Sequence, residues 1–337
     1  MTLRIAINGF GRIGRLVVRS IVEYNHNDVE IVAINSPGAL ETQAHLLSYD
    51  SVHGRFMNEV KTEPGIMDFG KGPVRITHER NPADIDWKSL DVDVVMECSG
   101  FFRTKESCTP HLDAGAKSVL ISAPAKGVDN TIVFGVNEND LKADDLIVSC
   151  ASCTTNCLAP LAKVLMENFG IRRGFMTTIH AYTQDQRILD NSHKDLYRAR
   201  AAGLNMIPTS TGAAKAVGLV LPGLEGRLHG SAVRVPTANV SMVDLAFQPE
   251  RDTDVDEINA AVKKASENEL KNILGYTEKA LVSSDLNHDP HSSIFAAPLT
   301  KVLENDLVKV VSWYDNEWGF ACRMIDVARS MKSAQTA

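Results

Sequence analysis

The chain has little that would mark it for the cell exterior, a membrane or a nucleic acid. Cysteine is scarce, six in 337 residues, too few for the disulfide framework of a small secreted domain. No apolar run approaches the length of a bilayer span. Met1-Thr2-Leu3-Arg4 lacks a charged stretch followed by an apolar one, so no secretory signal is expected and the chain reads as reduced and cytoplasmic. A cationic excess is missing too: 35 Lys and Arg stand against 42 Asp and Glu, a net charge of −7. A dedicated nucleic-acid binder would show a basic face, so neither nucleic acid nor membrane is expected as a partner. Without a global positive field, anionic substrates need local arginines. Internal repeats, low-complexity tracts and long linkers are also absent.

What remains is an ordinary globular composition, 44% hydrophobic and 23% charged, long enough for two cores. In the first half, Leu3 to Ile7, Glu30 to Ile34, Val92 to Glu97, Ser118 to Ile121 and Thr131 to Phe134 are short apolar runs. Ile13 to Tyr24 reads as a helix with Ile13, Leu16, Val17, Ile21 and Val22 on one side. Strands alternating with helices imply a parallel sheet covered on both faces. After residue 151 the pattern changes. A helix is expected from about Ser152 to Asn168, stopped by Gly170 and open to a kink at Pro160. Gly174 to Thr178, Ser231 to Val235, Val240 to Phe247 and Leu307 to Tyr314 alternate as antiparallel strands do, with a helix over Asp254 to Asn268.

Asn8-Gly9-Phe10-Gly11-Arg12-Ile13-Gly14 spells Gly-x-Gly-x-x-Gly. The pattern is weak alone, but here a strand precedes it, a helix opens on it and a second strand closes the unit. Glycines let the backbone approach a pyrophosphate, and the helix N-terminus offers oriented N–H groups. The expected fold is therefore α/β: a Rossmann-type parallel-sheet domain over 1–151 and a catalytic α+β domain with a mostly antiparallel sheet over 152–317. An amphipathic helix from Trp318 to Met331, within 318–337, is expected to return to the first domain. At the end of the second strand an NAD site usually places Asp or Glu on the ribose 2′-hydroxyl. This chain has Asn35-Ser36-Pro37, which removes the charge that would repel a 2′-phosphate.

Ser152-Cys153-Thr154-Thr155-Asn156-Cys157 opens the helix at the boundary. A thiol at a helix N-terminus is stabilised as thiolate, from about 8.5 down to roughly 3.5–7.5. His180 ends the apolar run Met176 to Ile179, which would return to the same edge. Such a Cys–His pair is an activated nucleophile and its base. No metal is expected: zinc on Cys150, Cys153, Cys157 and His180 would consume the nucleophile.

These residues are recognisable. The chain resembles phosphorylating glyceraldehyde-3-phosphate dehydrogenases over essentially its whole length. The resemblance rests on Ile7 to Arg15, Ala151 to Cys157, Thr177 to His180, Thr209 to Lys215, Arg234 to Thr237 and Trp313 to Glu317. It implies Cys153 as nucleophile and His180 as general base. It implies Thr183 and Arg234, with Asp185 beside them, as the substrate-phosphate pocket. Ser152, Thr154, Thr211, Gly212 and Arg198 are implied for inorganic phosphate, and Asn316 for the nicotinamide carboxamide. Asn8, Gly9, Gly11, Arg12, Ile13, Gly14, Asn35, Ser36, Arg80, Ser122 and Ser192 complete the expected cofactor contacts. The implied reaction joins glyceraldehyde 3-phosphate, inorganic phosphate and NAD(P) through a thiohemiacetal and a thioester on Cys153. A homotetramer, built through the second domain, is implied as well.

Departures from the family pattern sharpen the expectations. Ser36 stands where the family has its cofactor-reading aspartate, and Asn191-Ser192 replaces a Leu-Pro pair. In NADP-using photosynthetic relatives a serine resembling Ser192 contacts the 2′-phosphate, so NADP is the preferred cofactor, or dual NADP/NAD use, with NAD not excluded. Cys150 replaces Asn, making Cys150-Ala151-Ser152-Cys153. A reversible Cys150–Cys153 disulfide is one reading, and a buried small residue is the plainer one. Phe320 stands where many relatives have tyrosine. The sister family, erythrose-4-phosphate dehydrogenase, shares the nucleophile and the segment Asn287 to Ser292. Thr183 and Thr209 to Gly212 favour the glyceraldehyde reading.

Overall fold

Apolar runs too short to span anything but a sheet lie side by side in the first half. The structure is a computed structural model and describes residues 2–336. Nine strands form one sheet in the order Asn130–Thr131, Ile147–Ser149, Ser118–Ile121, Val94–Glu97, Leu3–Asn8, Val29–Asn35, Pro73–Thr77, Ile66–Asp68 and Lys61–Glu63. The first seven run parallel, and an antiparallel hairpin closes one edge. Ile5, Ala6, Ile7, Val94, Val95, Met96, Val119 and Leu120 are wholly buried, as strands covered on both faces must be. Helix Arg12–Glu23 buries Leu16, Val17, Val18 and Ile21, each worth about 1.5–3 kcal/mol. Leu16→Ala would cost about 2–5 kcal/mol by the cavity it leaves.

Thr131 to Phe134 was expected as a full strand, and only Asn130–Thr131 pairs. Beyond it the chain turns, because the N–H groups of Val136 and Asn137 both bond Val133 O while Asn137 Oδ1 accepts from Val133 N. A side chain that competes for backbone donors ends a ladder.

In the second half the sheet order is Ile207–Ser210, Leu228–Val235, Arg173–Ala181, Ser241–Gln248, Leu307–Tyr314, Ser293–Ala296 and Leu274–Thr277, with Lys301–Leu303 also on Leu307–Tyr314. It is mostly antiparallel. Arg173–Ala181 with Leu228–Val235 and Leu274–Thr277 with Ser293–Ala296 are the parallel exceptions. Helix Cys153–Phe169 buries Leu158, Leu161 and Leu165, accommodates Pro160 internally, and stops at Gly170 with φ +69°, a left-handed cap that favours glycine.

The chain divides into two compact units. One holds residues up to Ile132, Glu138–Ser152 and the chain from Ala321 onward; the other holds Val133–Asn137 and Cys153–Phe320. The sequence reading cuts at 151/152 and again at 317/318; here Val133–Asn137 groups with the second unit instead. Its packing is the reason: a Cβ on Gly135 would meet Ile273 Cδ1 at 2.7 Å, and Lys163 Nζ donates to Gly135 O. Among the described residues no helix is long and apolar enough to cross a membrane.

Candidate active site

Register in the second sheet brings the chemistry together. The parallel pairing of Arg173–Ala181 with Leu228–Val235 sets His180 beside Arg234. Cys153 begins its helix, and its Sγ lies 3.5 Å from His180 Nε2. His180 Nδ1 lies 2.7 Å from Ala181 O. A carbonyl only accepts, so Nδ1 carries the proton and Nε2 turns its lone pair to the sulfur. Arg234 Nη1 donates to the same carbonyl at 3.0 Å and stands 2.5 Å from Nδ1. With Nδ1 protonated, that last contact is two donors sharing one acceptor.

The sequence reading expects a thiolate favoured by its helix end and paired with His180. For the lone thiol, burial outweighs the helix end. Burial pushes the Cys153 thiol up, against Arg234 and Thr154, which draw it down. Burial, then Arg234, pushes His180 down to about 3. Each charge is therefore penalised when formed singly. Formed together at 3.5 Å, thiolate and imidazolium attract by about 5 kcal/mol at an effective dielectric of 20. That attraction offsets much of the cost of moving one proton from Sγ to Nε2, so the thiolate is favoured as half of a pair over a thiolate formed alone.

Tyr314 was missed as a site residue. Its hydroxyl, in a wholly buried ring, meets Thr154 Oγ1 at 2.8 Å and Thr178 Oγ1 at 2.9 Å. It thereby ties the first turn of the nucleophile's helix to the strand that carries His180, whose ring it meets edge-on at 5.9 Å. Inward alternation along Leu307–Tyr314 was the available signal, since a buried tyrosine needs a partner for its hydroxyl.

Around the pair lie cations. Arg234 Nε is buried without a hydrogen-bond partner, the mark of a missing acceptor. Arg198 Nε donates to Thr209 Oγ1 at 2.9 Å, and its guanidinium pairs with Asp185. Thr183 is exposed, its N–H and hydroxyl both donating to Gln186 Oε1. Thr211 Oγ1 accepts from Ala213 N, and exposed Gly212 precedes helix Ala213–Val220 without a side-chain cap. Ser152 is half-buried, while Thr154 is buried on Tyr314. Asn316 is buried, its Oδ1 accepting from Ser241 Oγ at 2.7 Å. Exposed Ser192 offers its carbonyl to Arg187 Nε and Nη2.

In the first unit the glycine-rich turn has the shape a dinucleotide needs. Gly9 has φ +96°, and a Cβ there would lie 2.4 Å from Ser99 N; a Cβ on Gly14 would lie 2.3 Å from Gly9 O. Gly11 faces open space and precedes helix Arg12–Glu23 with no side-chain cap. A helix end of this kind suits an anion, so the residues present fit a nicotinamide dinucleotide. Ile13 is half-buried, and Arg12 pairs with Asp50 at 2.5 Å. Asn8 and Asn35 are buried, and the Asn35 amide is fully used within the chain, so it shapes the site without offering a free group. Ser36 is half-exposed at the strand end, Arg80 is exposed, and Ser122 is half-buried with its side chain on the Cys98 thiol. No cysteine is in a disulfide. Cys150 is buried and its thiol pushed up to about 12 by that burial, as is Cys157, which suits inert core residues. Among the described residues no cluster of metal ligands occurs.

Comparison with known proteins agrees with the geometry. Residues 3–105 match the family model for the glyceraldehyde 3-phosphate dehydrogenase NAD binding domain, and residues 152–316 match that for its C-terminal domain. A Cereibacter sphaeroides protein named glyceraldehyde-3-phosphate dehydrogenase is 61% identical over 98% of this chain and 99% of its own length. Proteins of the same name from Xanthobacter flavus and Pseudomonas aeruginosa are 58% and 54% identical, covering 98% and 99% of this chain and 99% and 100% of theirs. The chain belongs to the glyceraldehyde-3-phosphate dehydrogenase family.

Proposed function

We propose that the protein oxidises glyceraldehyde 3-phosphate, with inorganic phosphate and NADP or NAD, to 1,3-bisphosphoglycerate. The observation that carries this reading is Cys153 Sγ at 3.5 Å from a His180 Nε2 lone pair, with Arg234 alongside. Nε2 takes the thiol proton, and Sγ attacks the aldehyde carbon to form a thiohemiacetal. The imidazolium and the Cys153 N–H stabilise the developing oxyanion; Nε2 gives it the proton to form the thiohemiacetal hydroxyl and, neutral again, takes that proton back as the hydride leaves. The nicotinamide, when bound, supplies the hydride acceptor. Inorganic phosphate attacks the resulting thioester, and Sγ leaves as thiolate.

Arg234, with Thr183 and Asp185 near it, holds the substrate phosphate in this reading. Arg198, Ser152, Thr154, Thr211 and Gly212 hold the attacking phosphate. Arginine suits both by bidentate hydrogen bonding. A phosphate on Arg234 also cancels part of the charge that lowers His180, so the imidazolium forms more readily once substrate is in place. Asn316 is assigned to the carboxamide, and Gly9, Gly11, Arg12, Gly14, Ser36, Arg80 and Ser192 to the rest of the dinucleotide. The lack of a carboxylate at Ser36 supports NADP as preferred cofactor. The 62–90% exposure of Ile188, Leu189, Leu196, Tyr197, Leu204 and Met206 supports burial against further copies of the chain, as in a homotetramer. A set of cysteines free of disulfides supports a cytoplasmic site.

The test is a rapid-mixing experiment without phosphate. One equivalent of reduced cofactor per Cys153 is expected in a burst, with turnover restored by phosphate and both lost in Cys153→Ser. Turnover that ignores phosphate would overturn the reading. Faster turnover of erythrose 4-phosphate would move the assignment to the sister activity.

A further inference from the structure

Beneath the glycine-rich turn lies a buried polar chain that the reaction does not use. Glu97, 1% exposed at the end of strand Val94–Glu97, accepts from Asn8 Nδ2 at 2.5 Å, from Ser99 N at 2.8 Å, from the Ser99 hydroxyl, and from His111 Nε2 at 3.2 Å. The tautomer of His111 is forced. Trp87 Nε1 only donates, and it points at His111 Nδ1 from 3.1 Å. His111 must therefore give its own proton to Glu97.

The chain continues the other way through amides. Asn35 Nδ2 donates to Asn8 Oδ1 at 2.7 Å and to Glu79 O at 2.9 Å, while Asn35 Oδ1 accepts from Thr77 Oγ1 and Glu79 N. Each link is directional: four donors meet the carboxylate, and every polar atom of Asn35 is committed. Asn8 precedes Gly9, whose backbone packs against Ser99, and Asn35 precedes Ser36. One carboxylate thus sets both the turn that meets the pyrophosphate and the strand end that meets the ribose.

We propose that Glu97 is a positioning residue for the dinucleotide, holding the Gly9 turn and the Asn35–Ser36 strand end in the binding-competent shape through Asn8. The inference rests on the dinucleotide reading of the first unit. In Glu97→Gln an NH2 replaces one acceptor oxygen and faces either Asn8 and His111, both donors, or Ser99, whose hydroxyl can turn to accept but whose N–H is then left without an acceptor. Trp87 blocks His111 from turning to accept. No amide orientation satisfies the site.

Dissociation constants for NAD and NADP, melting temperature, KM and kcat are measured on the full chain for wild type, Glu97→Gln and Thr77→Val. Glu97→Gln is expected to raise both dissociation constants and the cofactor KM about tenfold or more. Its kcat at saturating cofactor and the alkylation rate of Cys153 in the cofactor-free protein stay within about twofold. Thr77→Val, which removes one donor at the far end, is expected to raise both constants about two- to fivefold. Affinities within twofold of wild type in a folded Glu97→Gln, or a fall in kcat without a rise in KM, would overturn the proposal. If Glu97→Gln does not fold, unchanged affinities in Thr77→Val overturn it instead. Failure of the wild type to bind either dinucleotide would remove the underlying reading and the proposal together.

Discussion

Replacing His180 with Asn separates a paired thiolate from a helix-end thiolate. At 3.5 Å the pair is worth about 5 kcal/mol at an effective dielectric of 20 and about 1 kcal/mol in bulk water. Cys153 is partly open to solvent, so a value between these limits, about 3 kcal/mol, applies. At 1.36 kcal/mol per unit, His180→Asn should raise the apparent Cys153 pKa by about two units. The sign follows from the surroundings: with the imidazolium gone, burial pushes the thiol up against Arg234, Thr154 and the Cys153 N–H. The assay is alkylation of the cofactor-free protein with iodoacetamide, a neutral reagent that gains nothing from Arg234, between pH 5 and 10. Wild type should keep its reactivity as pH falls toward the pair's apparent pKa, a property of both groups together. The variant should lose about a hundredfold at pH 7 and recover only in alkali. Superimposable profiles would refute the paired-charge argument and leave the helix end as the sole activator.

Three other outcomes follow from the same geometry. Ser36→Asp should weaken NADP about tenfold or more and leave NAD unchanged or tighter, read from initial rates with the two cofactors side by side; an unmoved ratio would mean Ser36 does not face the 2′ position. Arg234→Leu should raise the KM for the phosphorylated aldehyde about ten- to a hundredfold, the worth of one or more charged hydrogen bonds, and an unchanged KM would place the substrate phosphate elsewhere. Gly9→Ala should lower stability by at least about 1–2 kcal/mol, because φ is +96° and Ser99 N lies 2.4 Å from the new Cβ; a wild-type melting temperature would show that the turn relaxes freely.

Periodicity located the elements that place the site. Leu3–Asn8, Arg12–Glu23 and Val29–Asn35 frame the turn much as the apolar runs indicated, and helix Cys153–Phe169 begins one residue from its expected start. Short or polar elements escaped: Pro73–Thr77 alternates over five residues only, and helix Leu40–Ser48 lacks a side-chain cap. Thr131 to Phe134 misled because an apolar run cannot show that Asn137 will take the next backbone donor. At the site, the nucleophile, base and arginines were legible as residue types. Their electrostatics were not, since the penalty on a lone thiolate comes from burial by distant segments. Tyr314 joining Thr154 to Thr178 is likewise a contact between residues more than a hundred positions apart, which no local pattern encodes.

The interleaving of the two units has a practical corollary. The chain passes from one unit to the other after Ile132, Asn137, Ser152 and Phe320. Neither unit is therefore a contiguous stretch of gene. A stop codon placed just before the last helix would strip the first unit of its closing segment, and a fragment starting at Cys153 would arrive without Val133–Asn137. Exchange of halves with a relative must carry all four crossings at once, so such chimaeras should be built from insertions rather than from a single splice.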